Sequence, residues 1–271
     1  METRAAESRL IRALLYHDVV DEGGFAASGF VSPDANIYKF TTAEFARYLS
    51  AIQARGVKPA VSAFDALREK DSFLLTFDDG GVGASQWIAD MIESFGHVGH
   101  FFITTDYIGA PGFMSPAQIA ELARRGHVIG SHSCSHPPLM LRCSASQLDR
   151  EWRESVARLS DIIGAPVTVA SVPGGSYSRA VGSAAANTGV RVLFTSEPTS
   201  AISRVDECTL IGRYSVQRGT STETAAALAA GDLLQRLQLS VYWNFKKVVK
   251  RIGGNAWLQF RKAVLARRPW R

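Results

Sequence analysis

The sequence predicts an α/β fold: an incomplete barrel of about seven parallel strands in a single domain, with a basic helical tail behind it. Three observations lead there. Short runs rich in Val, Ile, Leu and Phe alternate with stretches of helical period, which is the mark of repeated βαβ units. Most of these runs show no polar/apolar alternation, as parallel strands covered on both faces require. No Gly-rich dinucleotide turn follows the first run, which favours a barrel over an open nucleotide-binding sheet.

The elements follow in order along the chain. Ala13–Tyr16 is the first strand, and the helix Ala43–Arg55 follows with Thr41 or Thr42 as its cap. Phe73–Phe77 is the second strand, with Ala84–Phe95 as its helix. His100–Thr104 comes next, then the helix Pro116–Arg125, which Ser115 caps and Pro116 opens. Val128–Gly130 precedes the long helix Ala145–Ile163. Val167–Val172 precedes Arg179–Asn187, and Val190–Thr195 and Leu210–Val216 complete the strands. Gly56, Gly126 and Gly164 each stand where a helix end wants a left-handed residue. In such a fold ligands sit at the C-terminal ends of the strands, so the chemistry is expected just after them.

Composition narrows the class. The 271 residues are 46% apolar and 20% charged, an ordinary globular balance with enough chain for a sizeable core. Three cysteines, Cys134, Cys143 and Cys208, have no paired spacing, which favours a reducing compartment over a disulfide-stapled fold. Arg4, Glu7, Arg9 and Arg12 interrupt any apolar core of a signal peptide. A cytoplasmic location is the expectation. The net charge of +5 is unevenly spread. Ten of the 30 basic residues follow Asp232, the last acidic residue, leaving 20 basic against 25 acidic residues up to that point, a net −5.

Two motifs carry chemistry. Asp78-Asp79-Gly80 leaves the end of the strand Phe73–Phe77. Adjacent carboxylates are costly to bury unless a cation or a proton separates their roles. One natural division gives one carboxylate to a metal and leaves the other as a base. The second motif, Ser131-His132-Ser133-Cys134-Ser135-His136, follows the strand at Val128. One turn of helix-like backbone would set His132 and His136 on the same side. Two histidines and an aspartate form a compact nitrogen/oxygen site for one divalent transition ion. Zinc is the first expectation, with iron, cobalt and nickel as alternatives.

Together, Thr76-Phe77-Asp78-Asp79-Gly80 and His132–His136 resemble the polysaccharide deacetylases, the NodB-homology or carbohydrate esterase 4 family, over roughly Leu10 to Val216. The resemblance implies a deformed (β/α)7-type barrel, Asp78 as general base, and Asp79, His132 and His136 as metal ligands. It implies hydrolysis of the N-acetyl group of an amino sugar in a polysaccharide, oligosaccharide or lipid-linked glycan. The family's late catalytic histidine has no counterpart, since no histidine follows His136. Tyr16-His17-Asp18 instead resembles a segment of the biofilm poly-N-acetylglucosamine deacetylases, whose motif order is permuted, and this marks His17 as general acid. The family's third motif is reduced to Pro173-Gly174-Gly175, without its arginine and aromatic residue. Gly174 is retained as a backbone donor to the oxyanion, and Arg213 is the candidate to orient Asp78. Two other functions fit the same residues: hydrolysis of a small non-glycan amide or cyclic ureide, or sugar binding without catalysis.

The division expected is a catalytic domain over 1–232 and a basic, Trp-rich helical tail over 233–271. Basic residues beside Trp243, Phe245, Trp257, Phe260 and Trp270 suit an anionic membrane surface, which places the protein peripherally on the inner face of the cell membrane. A solvated helix packed on the barrel is the plainer reading of the same segment. Nucleic-acid binding is disfavoured, because the body is acidic and no recognised binding fold is present.

Overall fold

The computed structural model describes residues 10–244, apart from 23, 70 and 176. The expectations for residues 1–9 and 245–271 therefore fall outside the described residues. The elements are β1 (Leu10–Tyr16), β2 (Asp18–Val20), α1 (Pro33–Asn36), β3 (Lys39–Thr41), α2 (Thr42–Ala54), α3 (Ala63–Ala66) and β4 (Asp71–Phe77). A π-helical turn, Ala84–Ile88, runs into α4 (Ala89–Glu93), followed by β5 (Gly99–Ile103), α5 (Pro116–Arg124), β6 (Val128–Ser131) and α6 (Ala145–Ile163). Then come β7 (Val169–Ser171), α7 (Arg179–Asn187), β8 (Val192–Phe194), β9 (Ile202–Val205), β10 (Cys208–Ile211), β11 (Tyr214–Ser215) and α8 (Thr222–Ala229). Residues 233–244 are also helical.

Capping sets the helix starts where the sequence puts them. Thr41, Ser115 and Ser144 each form a capping box with Glu44, Gln118 and Gln147. Gly164 takes the left-handed conformation that ends α6 (φ 67°). The stretch expected as one helix, Ala84–Phe95, differs in its first turn, which is π rather than α and has no capping side chain at Gly83.

The sheet order is β11-β1-β4-β5-β6-β7-β8-β10-β9, parallel throughout except for β9, which runs antiparallel on β10. β10 and β11 are successive in the chain, separated only by Gly212 and Arg213. One continuous segment therefore pairs with β8 along its first half and with β1 along its second, which curls the sheet into a barrel. Counted this way the parallel strands number seven. The partner switch at residues 212–213 is the deformation.

The pleat divides each strand between two cores. On β4, Phe73, Leu75 and Phe77 pack outward beneath the helices, while Leu74 packs with Ile11, Phe102, Val192, Phe194 and Ile211 in the interior. Ala63 and Ala66 of α3 join that interior set and close its N-terminal end. Toward the other end the interior line turns polar: Leu74 is followed at the same period by Thr76 and Asp78, Val169 by Ser171, and Ile211 by Arg213. The barrel is thus apolar at its base and hydrogen-bonding at its mouth. Among the described residues no helix is long and apolar enough to cross a membrane.

Three buried histidines near the base accept backbone N–H groups: His97 Nδ1 from Ala60 (2.9 Å), His100 Nε2 from Ala63 (2.9 Å) and His127 Nδ1 from Gly99 (3.2 Å). Burial lowers the affinity of all three for a proton, that of His100 to a pKa of about 4. Between that value and the ordinary 6.5 the unfolded chain binds the proton and the native one does not. Stability is therefore complete above 6.5 and is lost as the pH falls toward 4. From pH 6.5 to 5 His100 alone is expected to cost about 2 kcal/mol. Urea midpoints at the two pH values check this, and a midpoint independent of pH contradicts it.

Candidate active site

Every expected site residue lies at the barrel mouth. Asp78 and Asp79 leave β4, His132 and His136 follow β6, His17 follows β1, Gly174 lies in the turn after β7, and Arg213 stands at the β10–β11 switch.

Asp79, His132 and His136 converge. Asp79 Oδ1 is 3.5 Å from Nε2 of His132 and 3.5 Å from Nε2 of His136. Ligands about 2.1 Å from an ion at tetrahedral angles stand about 3.4 Å apart, so these donors are already spaced for one cation. Among the described residues this is the one cluster of three or more such side chains with metal-site geometry. The His132 ring is fixed from behind, its Nδ1 donating to the carbonyl of Ser171 (3.1 Å), so that Nε2 faces the site. Burial opposes charge on Asp79, but the hydrogen bond from His132 and the fields of His17 and His136 hold its carboxyl well below the usual range. Burial lowers the proton affinity of His136 and so keeps its imidazole free to donate a lone pair.

The backbone route to this cluster differs from the helical turn expected. Residues 132–136 are irregular, and Ser133 (φ 65°) and His136 (φ 55°) are left-handed, as is Asp79 (φ 77°). Side chains other than glycine resist this region, so the conformation has to be held from outside. Glu151, buried on α6, does much of that. Its carboxylate accepts from the N–H groups of Cys134 and Ser135 (2.9 Å each) and from Ser135 Oγ (2.6 Å). His136 N–H donates to Ser133 Oγ (3.2 Å). Cys134 itself points away toward α6, its thiol pushed up to about 11 by burial, and is no part of the donor set.

Asp78 is held by an arginine. Arg213, with no solvent exposure, donates from Nη1 to Asp78 Oδ1 (2.7 Å) and from Nη2 to Oδ2 (2.8 Å). Its remaining donors reach Ser171 Oγ (2.7 Å), Thr76 Oγ1 (3.2 Å) and the Thr195 carbonyl (3.1 Å), so every part of the fork is used. Its guanidinium carbon lies 5.7 Å from the Phe102 ring centre and 5.9 Å from that of Phe194. Burial alone would raise the Asp78 carboxyl, but the Arg213 guanidinium and His132 hold it below its ordinary value. The partner of Asp78 thus comes from the β10–β11 switch. Ser171 links the two halves of the site, since its hydroxyl lies between Arg213 and Asp78 while its carbonyl positions His132.

His17 faces the same centre. Its ring centre lies 4.3 Å from that of Tyr38, and its Nδ1 is buried without a hydrogen-bond partner. Burial lowers its proton affinity while Asp79 and Asp78 pull the other way. The neighbouring Asp18 lies against Gly81 and Gly83, and a Cβ on either glycine would collide with Asp18. The glycines after Asp79 are therefore needed to seat the His17 segment beside it. Gly174 is left-handed (φ 60°), and a Cβ there would come within 3.2 Å of the Pro138 carbonyl.

Glu151, Ser171 and Thr76 were not among the residues expected. Thr76 and Ser171 leave a signal, a polar residue at or next to the C-terminal end of a largely apolar run. Glu151 leaves none beyond its place on α6.

Fold and donors together define an α/β-barrel domain with a nitrogen/oxygen site at its mouth. Residues 66–193 match the family described as Polysaccharide deacetylase. YxkH of Bacillus subtilis (strain 168), provisionally named a polysaccharide deacetylase, is 28% identical over 128 residues, which are 47% of this chain and 46% of that protein. A 30.6 kDa protein of Geobacillus stearothermophilus is 29% identical over 37% of this chain and 36% of its own length. The matched stretch thus spans less than half of either relative. Solved structures share the fold, among them the following two. The deacetylase PplD of Streptococcus pyogenes, in complex with acetate, has a TM-score of 0.66 at 18% identity, over 80% of this chain and 96% of that one. IcaB of Ammonifex degensii has a TM-score of 0.67 at 20% identity, over 82% and 98%.

Proposed function

We propose that the protein is a metal-dependent hydrolase that removes the N-acetyl group from an amino sugar of a glycan. The observation that carries this reading is the pairing of two unlike carboxylates. Asp79 meets two imidazoles, and Asp78, one residue away, meets a guanidinium. Sugar binding alone has no use for a base held beside a metal site.

Asp79, His132 and His136 would hold the ion, with zinc as the first assignment. When bound, a divalent ion of this kind polarises an amide carbonyl and makes water more acidic. Asp78, kept ionised and oriented by Arg213, takes the proton from the attacking water. The N–H of Gly174 is the proposed donor to the developing oxyanion. His17 gives the proton to the leaving nitrogen, which would otherwise depart as an amide anion. A cavity of about 20 Å³ between His17, Phe30, Ala35, Tyr38, Lys39 and Asp79 has room for about one water-sized group beside the proposed acid and metal ligand.

Purified protein is expected to hold about one transition ion per chain, and His132→Ala to lose it while keeping its circular dichroism. Elemental analysis of both proteins tests this. A variant that binds the ion as well as the parent removes the ligand assignment.

A further inference from the structure

We propose that the helix over 233–244 docks on an anionic lipid surface and brings the barrel mouth to it, so that the substrate is a lipid-linked N-acetylated glycan. The substrate half rests on the deacetylase reading above; the lipid contact does not.

One face of this helix is fixed to the barrel. Arg236 donates to Tyr214 Oη (3.1 Å), Ser240 Oγ to the Pro198 carbonyl (2.7 Å), and Leu239 packs against the outer core. The helix leaves Gly231, beside Arg12 of β1, and climbs the barrel wall toward the catalytic rim. At the rim, the Trp243 ring lies 3.9 Å from where a Cβ on Gly175 would stand, in the turn that also carries Gly174. The other face is apolar and exposed: Leu233 61%, Leu234 70%, Leu237 52% and Val241 68%. Their spacing of one, four and eight residues places them on the same side.

Charge decides what covers that face. From residue 233 onward the sequence has ten basic residues and no acidic one; Arg236 faces the barrel, and the other nine follow residue 244, outside the described residues. A second copy packed through this same face would bring like charge against like. An anionic bilayer takes both features at once, apolar side chains entering the interface and cations meeting headgroups. Because the same helix ends against the rim, a chain lying on the bilayer through Leu234, Leu237 and Val241 has its mouth beside the lipid. A glycan held at the surface by its own lipid is the acetylated substrate such a placement favours.

The test uses the full chain and a triple variant, Leu234→Gln, Leu237→Gln and Val241→Gln, which leaves charge and all proposed catalytic residues unchanged. Wild type is expected to sediment with vesicles of phosphatidylcholine and phosphatidylglycerol and to remain in solution with phosphatidylcholine alone. The variant should partition at least about tenfold less. Acetate release from a soluble N-acetylated oligosaccharide should be equal in the two. Release from vesicles carrying a synthetic lipid-linked N-acetylglucosamine should fall about tenfold in the variant. Wild type that ignores anionic vesicles, or a variant that binds them equally, overturns the docking. A wild-type dimer in sedimentation velocity that the substitutions dissolve overturns it too, in favour of a second copy. Equal rates on the vesicle substrate overturn the substrate half. Intact vesicle binding with no acetate from any substrate leaves the docking standing and counts against the deacetylase reading.

Discussion

Arg213→Met is expected to lower kcat by about a hundredfold or more while leaving the bound metal in place. The guanidinium touches Asp78, Ser171 and Thr76 but none of the three metal-site side chains. Its loss leaves a buried carboxylate without its bidentate partner, in a site where burial alone favours the protonated form. Removing one member of a buried ion pair typically costs about 3–5 kcal/mol. For a domain of this size that corresponds to a fall in Tm on the order of 10 °C. Arg213→Lys separates positioning from stability. A single ammonium restores charge but not the two parallel hydrogen bonds, so it should recover part of the Tm and little of the rate. An unchanged kcat in the Met variant would show that Asp78 is oriented by something else.

Asp78→Asn is expected to reduce turnover by about a thousandfold, with metal content retained and the chain still folded, though at a lower Tm because Arg213 loses its counter-charge. The amide nearly matches the carboxylate in shape, yet it can neither take a proton at neutral pH nor accept both of the guanidinium's hydrogen bonds. Rates measured alongside metal content and circular dichroism distinguish this from a structural defect. An active Asn variant would remove Asp78 as the base and point to His17 in that role.

Much of the fold was legible because its signals are local. α6 and α7 run over the very residues expected, Ala145–Ile163 and Arg179–Asn187, since caps and apolar period agree there. The seven strands were visible as apolar runs, but their closure into a barrel through residues 212–213 was not, because a change of pairing partner leaves no mark on composition. The short β2, β3 and α3 were missed for a related reason. Their residues are set by contacts distant in sequence, such as Asp18 against Gly81 and Ala63 against His100. In the site, the unusual side-chain sets at 78–79 and 132–136 stood out on their own. How the two histidines meet did not follow from their spacing. Their convergence depends on left-handed backbone at Ser133 and His136, held by Glu151 some 17 residues from Cys134. Arg213 was named without any means of placing it. Only the pleat, which puts Ile211 and Arg213 on the interior side of one strand, brings it 135 residues along the chain to Asp78.

N-deacetylation is tested most directly by paired quantification of acetate and free amine released from N-acetylated oligosaccharides. Metal-loaded protein should release the two in equal amounts, and Asp78→Asn should release neither. Oligosaccharide bound by the metal-loaded protein with no acetate and no new amine would rule out deacetylation and identify a barrel that holds sugars without cutting them.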